Sequence, residues 1–296
     1  MNWASGMTVM SAELPEVVVL PTMAEPAEMV IQARKGWIAI DWNEIWHYRE
    51  LLYFLVWRDL KVRYKQTVLG IAWAVLQPVL STFIFTIIFG MFAKIPTGGL
   101  PYAVFVYAGL LPFTFFQTGV NQAGLSLINQ QNLLTKVYFP RLFVPTSSIG
   151  AGLIDMAISF GVYGIILACY RFEPSWQVVY LPFLVFLTIL ATLGLGYLLA
   201  ALTVSYRDFR YVIPFMLQIF MYASPVVWSM EMIPKKYRLI AGLNPMAGII
   251  DAYRSAILGQ AWHIPTLCIS IATTIALFIF GLFYFRKTER RFADIA

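Results

Sequence analysis

Ionisable side chains, which carry out most protein chemistry, are scarce in the apolar segments of this chain. Asp155 is the one charged residue in the segment 142–170, and an acid in such a segment is a functional candidate by default. Ser147, Ser148 and Ser159 are close enough along a helix to hydrogen-bond with it, which favours a packing role. A hydrolase or transferase needs paired acids and bases or a metal cluster, and the sequence contains neither pattern. The sequence therefore argues against catalysis.

A nucleotide-binding loop is also missing from the sequence. No lysine follows a glycine, so the chain lacks the Gly-Lys-Ser/Thr loop that cradles phosphates in many ATPases. Transporters driven by protons or sodium place several ionisable groups inside the bilayer, whereas the apolar segments here hold only Asp155. We therefore expect no cofactor and no metal in this chain. Energy for transport is expected to come from a separate polypeptide.

The elements that carry these residues are predicted to be membrane-spanning helices. Hydrophobic residues make up 60% of the chain and charged residues 12%, against about a quarter charged in soluble proteins. Uncharged runs occur at 66–93, 95–135, 174–206, 211–230 and 255–285, and a helix needs about 20 apolar residues to cross a bilayer. We predict an all-α integral membrane protein with six spans. They lie at about 68–93, 102–123, 143–169, 178–203, 211–229 and 265–285.

Four segments are predicted along the chain. Residues 1–43, rich in Pro, Glu and Ala, predict a flexible cytoplasmic tail. Residues 44–65 predict an amphipathic helix on the membrane surface, with Leu52, Val56 and Leu60 on its apolar face. Residues 66–285 form the six-span domain, and 286–296 a basic cytoplasmic end. The polar face of the surface helix comprises His47, Glu50, Arg58, Lys61 and Lys65.

The distribution of lysine and arginine sets the predicted orientation. Segments on the side of the N-terminus hold thirteen of these residues and the opposite segments six, which places both termini in the cytoplasm. The net charge of +6 mostly reflects this asymmetry, so it indicates a membrane and not a nucleic acid. The polar loop 126–141 is either an ordinary basic cytoplasmic loop or a docking site for a partner.

Five short motifs carry a resemblance to a known family. They are RDLKVRYK (58–65) followed by LG (69–70) and LQP (76–78), NLLTKVYFP (132–140), SYRD (205–208), LNPM (243–246) and ERRFAD (289–294). In this order the chain resembles the permease subunits of type-2 ABC exporters, over about residues 36–296. Within that class it resembles exporters of lipid-linked polysaccharide such as O-antigen, capsule or teichoic acid. Residues 1–35 have no counterpart in the resemblance.

The resemblance implies a homodimer in a bacterial cytoplasmic membrane, bound to two copies of a separate ATPase that holds ATP and magnesium. It also implies re-entrant helices between spans 5 and 6, with an outer gate at Asn244 and Pro245; the residues alone are equally compatible with a segment lying flat on the outer surface. The ATPase contacts are expected at Arg58, Lys61, Asn132, Lys136, Tyr138, Phe139, Arg141, Arg207 and Asp208.

Two stripes of aromatic and polar residues predict a path for the glycan. Sugars present hydroxyl groups and apolar CH faces, which amides, hydroxyls and aromatic rings contact well. One stripe is Trp73, Gln77, Ser81, Phe85 and Phe92, and the other is Tyr211, Phe215, Gln218, Tyr222 and Ser229. Helix packing is the alternative interpretation of both stripes. Two alternative functions stay open: export of another amphiphile such as a drug or lipid, and a membrane-embedded transferase acting on lipid-linked sugars.

Overall fold

The computed structural model describes residues 46–65, 72–131, 133 and 139–289, and within them every regular element is helical. This confirms the all-α prediction for these residues. The helices are α1 (Arg49–Lys65), α2 (Ala72–Phe85, continued by a π-helix, Thr86–Phe92), α3 (Tyr102–Asn129), α4 (Phe143–Cys169), α5 (Leu181–Ser205), α6 (Phe209–Ala223), α7 (Lys235–Ala241), α8 (Pro245–Leu258) and α9 (Ile264–Glu289). Short 3-10 turns, Trp176–Tyr180 and Met230–Met232, precede α5 and α7.

Five of these helices are long and apolar enough to cross a membrane. They are Ala72–Phe92, Tyr102–Asn129, Phe143–Cys169, Trp176–Ser205 and Ile264–Glu289. The span predicted at 211–229 is α6, which is apolar but has 15 residues. A helix of this length reaches about 22 Å, short of a hydrocarbon core of about 30 Å. The helix ends there because Ser224 takes an extended conformation before Pro225, as residues preceding proline do. The sixth span stays a prediction.

Helix α3 forms the centre of the bundle and packs against α4, α5 and α8. Its side chains are mostly buried, including Phe105, Phe113 and Phe116. Helix α5 packs against α9 with their backbones in direct contact, since a Cβ on Gly194 would lie 2.7 Å from the Cα of Phe278. Small residues that let backbones approach closely are the usual means of packing helices in membranes.

Helix α1, which is predicted as a surface helix, is partly exposed along one side. Its apolar face packs against α4, where a Cβ on Gly150 would lie 3.0 Å from a methyl carbon of Val56. Leu55 is buried, whereas the aromatic side chains of Tyr53, Phe54 and Trp57 are exposed. Aromatic side chains next to basic ones suit a membrane–water interface.

Two short helices, α7 and α8, lie between α6 and α9; Pro234 precedes α7, Gly242 follows it, and Pro245 is the first residue of α8. Every residue of α8 is buried, because the helix packs against α3, α5 and α9. Helix α8 is therefore an internal part of the bundle, whereas α7 is largely exposed; the re-entrant arrangement of the two helices stays a prediction.

Candidate functional site

A first pair of polar contacts fixes α1 to the bundle. The Arg58 guanidinium donates to Asp59 Oδ1 at 2.7 Å and to Gln130 Oε1, just after α3, at 2.7 Å. Ser147 Oγ of α4 donates to Asp59 Oδ2 at 2.9 Å. Arg58, predicted to face an ATPase, therefore binds Gln130 at the end of α3, while its neighbour Asp59 binds Ser147 of α4.

A second group of contacts forms at the C-terminal end of α1. Arg63 donates to Asp155 of α4 and to Gln122 of α3, and the Tyr64 hydroxyl also donates to Asp155. Burial, together with the bond to Asp155, raises the pKa of Tyr64 to about 12, so the hydroxyl keeps its proton at physiological pH. We call the two groups of contacts, centred on Asp59 and Asp155, the α1 clamp. It joins a surface helix to two helices of the bundle.

The partners of Asp155 differ from those predicted. Ser147 donates to Asp59 and to the Val144 carbonyl, and Ser148 donates to the same carbonyl. The predicted serine bonds to Asp155 are therefore wrong for these two residues. The carboxylate points towards α1, where Arg63 supplies an opposite charge. The sequence does show a basic residue, Arg63, on the helix that leads into the first span. The ion pair was not predicted because Arg63 lies 92 residues before Asp155.

A cavity of about 550 Å³ lies beside the α1 clamp, between α1, α2, α3 and α4. Trp73 and Gln77, predicted to begin the glycan path, both line it. The lining also includes Arg63, Tyr64, Thr114, Thr118, Gln122, Asp155 and Ser159. The structure thus brings part of the α2 stripe together with polar residues of α3 and α4 that sequence reasoning missed.

The residues of the α6 stripe that belong to the helix lie on its exposed side. Tyr211, Phe215, Gln218 and Tyr222 are exposed, whereas Ile213 and Leu217 on the other side are buried. Ser229 is separate from this stripe because α6 ends at Ala223; its hydroxyl caps the turn that follows by accepting from Glu231 N at 3.3 Å.

The α2 stripe is interrupted by the change from α-helix to π-helix. Trp73, Gln77 and Phe92 are exposed, whereas Ser81 and Phe85 are half-buried. The π-helix Thr86–Phe92 has more residues per turn than an α-helix, so a face extrapolated from 3.6 residues per turn does not extend to Phe92.

The predicted ATPase contacts divide into exposed residues and residues that are partly or fully buried. Lys61, Arg207 and Asp208 are exposed. Arg141 is half-buried, and its guanidinium donates to the Glu289 carbonyl oxygen at 2.7 Å, while Phe139 is buried. Asn132, Lys136 and Tyr138 lie outside the described residues.

The opposite end of the bundle is held together by Asn244 and Pro245. Asn244 Oδ1 accepts from Met246 N at 3.0 Å and so caps α8, while its Nδ2 donates to Ser224 Oγ at 2.8 Å. Pro245 is the buried first residue of α8, a position at which proline fits well. Asn244 therefore connects the end of α6 to the start of α8.

Arg254 is a structural residue that sequence reasoning missed. It is 1% exposed, and its guanidinium donates to three backbone carbonyls: Phe105 at 3.2 Å, Trp228 at 3.0 Å and Val226 at 2.6 Å. It also lies 3.7 Å from the centre of the Phe105 ring. Gly109 makes room for it, since a Cβ there would lie 2.7 Å from Nη2. The signal in the sequence was an arginine in a mostly apolar helix whose one other charged residue is Asp251.

An ionisable pair, His263 and Asp251, lies at the same end, with His263 Nδ1 at 2.8 Å from Asp251 Oδ2. The hydrogen bond to Asp251 raises the pKa of His263 above its usual value of 6.5, and partial burial opposes this. Among the more distant charges, Arg238 lowers this pKa and Glu231 raises it.

We expect the thermal stability of the protein to fall as the pH is raised from about 6.5 upwards because of this pair. A histidine whose folded pKa is raised stabilises the fold fully below its unfolded pKa and loses that contribution as the pH rises through the folded pKa. Melting curves of the purified protein across this range measure the effect. Asp251→Asn should flatten the profile, and an equal slope in that variant would contradict the assignment.

Comparisons with known proteins agree with this geometry. The family model described as ABC-2 type transporter matches residues 50–258, from α1 to the end of α8. The O-antigen export system permease protein RfbA of Myxococcus xanthus is 32% identical over 215 residues, which cover 72% of this chain and 82% of the relative. A protein of the same name from Klebsiella pneumoniae is 28% identical over 83% of this chain and 95% of its own length. The polysialic acid transport protein KpsM of Escherichia coli is 24% identical over 78% of this chain and 91% of its own length. This chain belongs to the ABC-2 type transporter family.

Proposed function

We propose that this chain is the transmembrane subunit of an ATP-driven exporter that carries an O-antigen-like, lipid-linked polysaccharide across the cytoplasmic membrane. The α1 clamp is the observation that carries the proposal. It gives a surface helix a firm mechanical connection to α3 and α4. The printed names of the relatives, O-antigen export permease and polysialic acid transport protein, support a polysaccharide as cargo.

Membership of the family makes this a transport subunit that works with an ATP-binding subunit, and not an enzyme. ATP and magnesium would be held by that ATPase. It would dock against the exposed Lys61, Arg207 and Asp208, together with Asn132, Lys136 and Tyr138. Arg58, Phe139 and Arg141 would act from inside the subunit by holding the docking elements in place. A push on α1 would then reach α3 and α4 through the α1 clamp.

The assembly would contain two copies of this chain and two ATPases, with both termini in the cytoplasm. Helix α6 and the residues after it would complete a sixth crossing, and α7 and α8 would be re-entrant helices that close the outer end of the path. The exposed face of α6 and the exposed residues Trp73 and Gln77 of α2 would line the conduit. A polar group facing lipid costs several kcal/mol, and Gln77 and Gln218 avoid that cost if they face a water-filled path.

Reversing two exposed charges should weaken the ATPase complex. We expect Lys61→Glu combined with Arg207→Glu to lower the amount of ATPase that co-purifies with the chain by about tenfold, since exposed ion pairs contribute about 0.2–1 kcal/mol each and tenfold is about 1.4 kcal/mol. The measurement is quantitative co-purification from solubilised membranes.

Lys236→Glu is the matched control, because Lys236 is an exposed lysine on α7, at the opposite end of the bundle. It should leave ATPase recovery unchanged. If the wild type, the double variant and Lys236→Glu recover equal amounts of ATPase, Lys61 and Arg207 are not part of the docking surface. If the wild-type chain co-purifies with no ATPase, the proposed function is contradicted.

A further inference from the structure

Helix α3 carries a polar face that neither of the two predicted stripes includes. Thr114, Gln117, Thr118, Asn121 and Gln122 recur at offsets of three, four, seven and eight residues, which places them on one side of a helix. All five are half-buried, on a helix whose other sides are almost fully buried. In the hydrocarbon region such amides and hydroxyls need polar partners. This face therefore requires water, protein or a polar ligand against it.

Three members of this face open into the cavity of about 550 Å³ next to the α1 clamp: Thr114, Thr118 and Gln122. Trp73 and Gln77 line the cavity from α2. The volume falls within the range of about 300–1,000 Å³ that is usual for small-molecule sites. The cavity thus combines an indole ring, two amides and several hydroxyls within the size of a ligand site.

The charges at the cavity favour a neutral ligand. Arg63 and Asp155 both line it, and each is the ion-pair partner of the other. The positive charge that a phosphate would need is therefore already balanced by a carboxylate, and the negative charge that a cation would need is balanced by the guanidinium. An ion pair with remaining donors and acceptors can still hydrogen-bond to hydroxyl groups.

We propose that this cavity is a carbohydrate-binding site that holds neutral sugar units of the exported polymer. Trp73 would stack on the apolar face of a sugar ring, and Thr118 and Gln122 would hydrogen-bond to its hydroxyls. The inference rests on the proposed function and adds to it the residues that select the cargo. Because the cavity lies between the surface helix and the start of α2, these would be the first sugars to enter the path.

Binding of the polymer tests the proposal directly. The probe is the host cell's own polysaccharide, released from its lipid by mild acid and titrated into the purified full-length complex while tryptophan fluorescence is recorded. The expected result is a saturable change that Trp73→Phe removes. Thr118→Val should raise the dissociation constant at least tenfold with an unchanged melting temperature, and Gln122→Leu should raise it at least tenfold as well.

Thr274→Val is the matched control, because Thr274 is buried in α9 and its hydroxyl donates to the Ser270 carbonyl at 2.7 Å, away from the cavity. It should bind the polymer as the wild type does. Gln122 also accepts from Arg63, so Thr118→Val provides the test that leaves the α1 clamp intact. Unchanged affinity in Thr118→Val would overturn the proposal, as would competition by inorganic diphosphate, which would indicate an anion site.

The export assay separates this proposal from the proposed function. If ATP-dependent export is present and Thr118→Val binds and exports like the wild type, the carbohydrate site is wrong and the transport function stands. If the wild-type complex moves no polymer on addition of ATP, the proposed function fails first.

Discussion

Replacing Arg254 with methionine is expected to lower the melting temperature of the purified protein by about 10 °C and to reduce its amount in the membrane. The guanidinium supplies hydrogen bonds to three buried carbonyls, those of Phe105, Val226 and Trp228. Leaving a buried acceptor unpaired costs about 1–3 kcal/mol, so the variant should lose roughly 3 kcal/mol or more. In a protein of this size, a loss of one kcal/mol of unfolding free energy lowers the melting temperature by about 2–4 °C.

The loss of stability in Arg254→Met should begin in the elements that Arg254 joins. Arg254 connects α8 to the start of α3 and to the segment between α6 and α7, so these elements should separate first, which hydrogen exchange can show. Arg254→Lys keeps the charge but cannot reach three carbonyls at once, and we expect an intermediate melting temperature. Lys236→Met, at an exposed position, is the control. An Arg254→Met protein that melts within about 2 °C of the wild type would contradict this role.

Replacing Arg63 with aspartate is expected to reduce polymer export at least tenfold while ATP hydrolysis by the complex continues. The substitution puts two carboxylates next to each other where Arg63 and Asp155 now pair, with side chains only 21% and 27% exposed. Like charges in a partly buried site repel, so the end of α1 should move away from α4. A push from the ATPase would then no longer reach the spans. The measurement is the ratio of polymer exported to ATP hydrolysed.

The charge swap distinguishes loss of the pair from general damage. Arg63→Asp combined with Asp155→Arg restores opposite charges at the same two positions, so it should regain part of the export that the single variant loses. Asp155→Asn keeps the size of the side chain and an acceptor for Arg63 and Tyr64, and we expect an intermediate effect. Wild-type export in Arg63→Asp would show that this half of the α1 clamp has no part in coupling.

The sequence predicts the helices of this protein well, because the signals are local. Long apolar runs mark α2 to α5 and α9, although α4 carries Asp155, and Pro234, Gly242 and Pro245 mark both ends of α7 and the start of α8. The length of α6 was harder to predict, because hydropathy continues past Ser224 while the backbone turns there. The π-helix in α2 leaves no clear local signal, so the face containing Phe92 was misplaced.

The site depended on long-range pairing, which one sequence does not reveal. Asp155 was recognised as unusual, yet its partner Arg63 lies 92 residues earlier. Arg254 was missed, because the carbonyls to which it donates lie 149 and 28 residues earlier in the chain. In both cases the packing of helices that are distant in sequence decides which partner the charge meets.

ATP-dependent uptake of polymer into inside-out membrane vesicles tests the central claim most directly. The vesicles contain this chain and its ATPase, with Val56→Cys and Gly150→Cys introduced where the two residues meet in the structure; the free, exposed Cys169 and Cys268 are changed to serine. The account predicts that uptake requires ATP. It also predicts that uptake continues after oxidation joins α1 to α4, because the two helices already move as one rigid unit. Uptake without ATP, or uptake abolished by the α1–α4 disulfide and recovered on reduction, would contradict it.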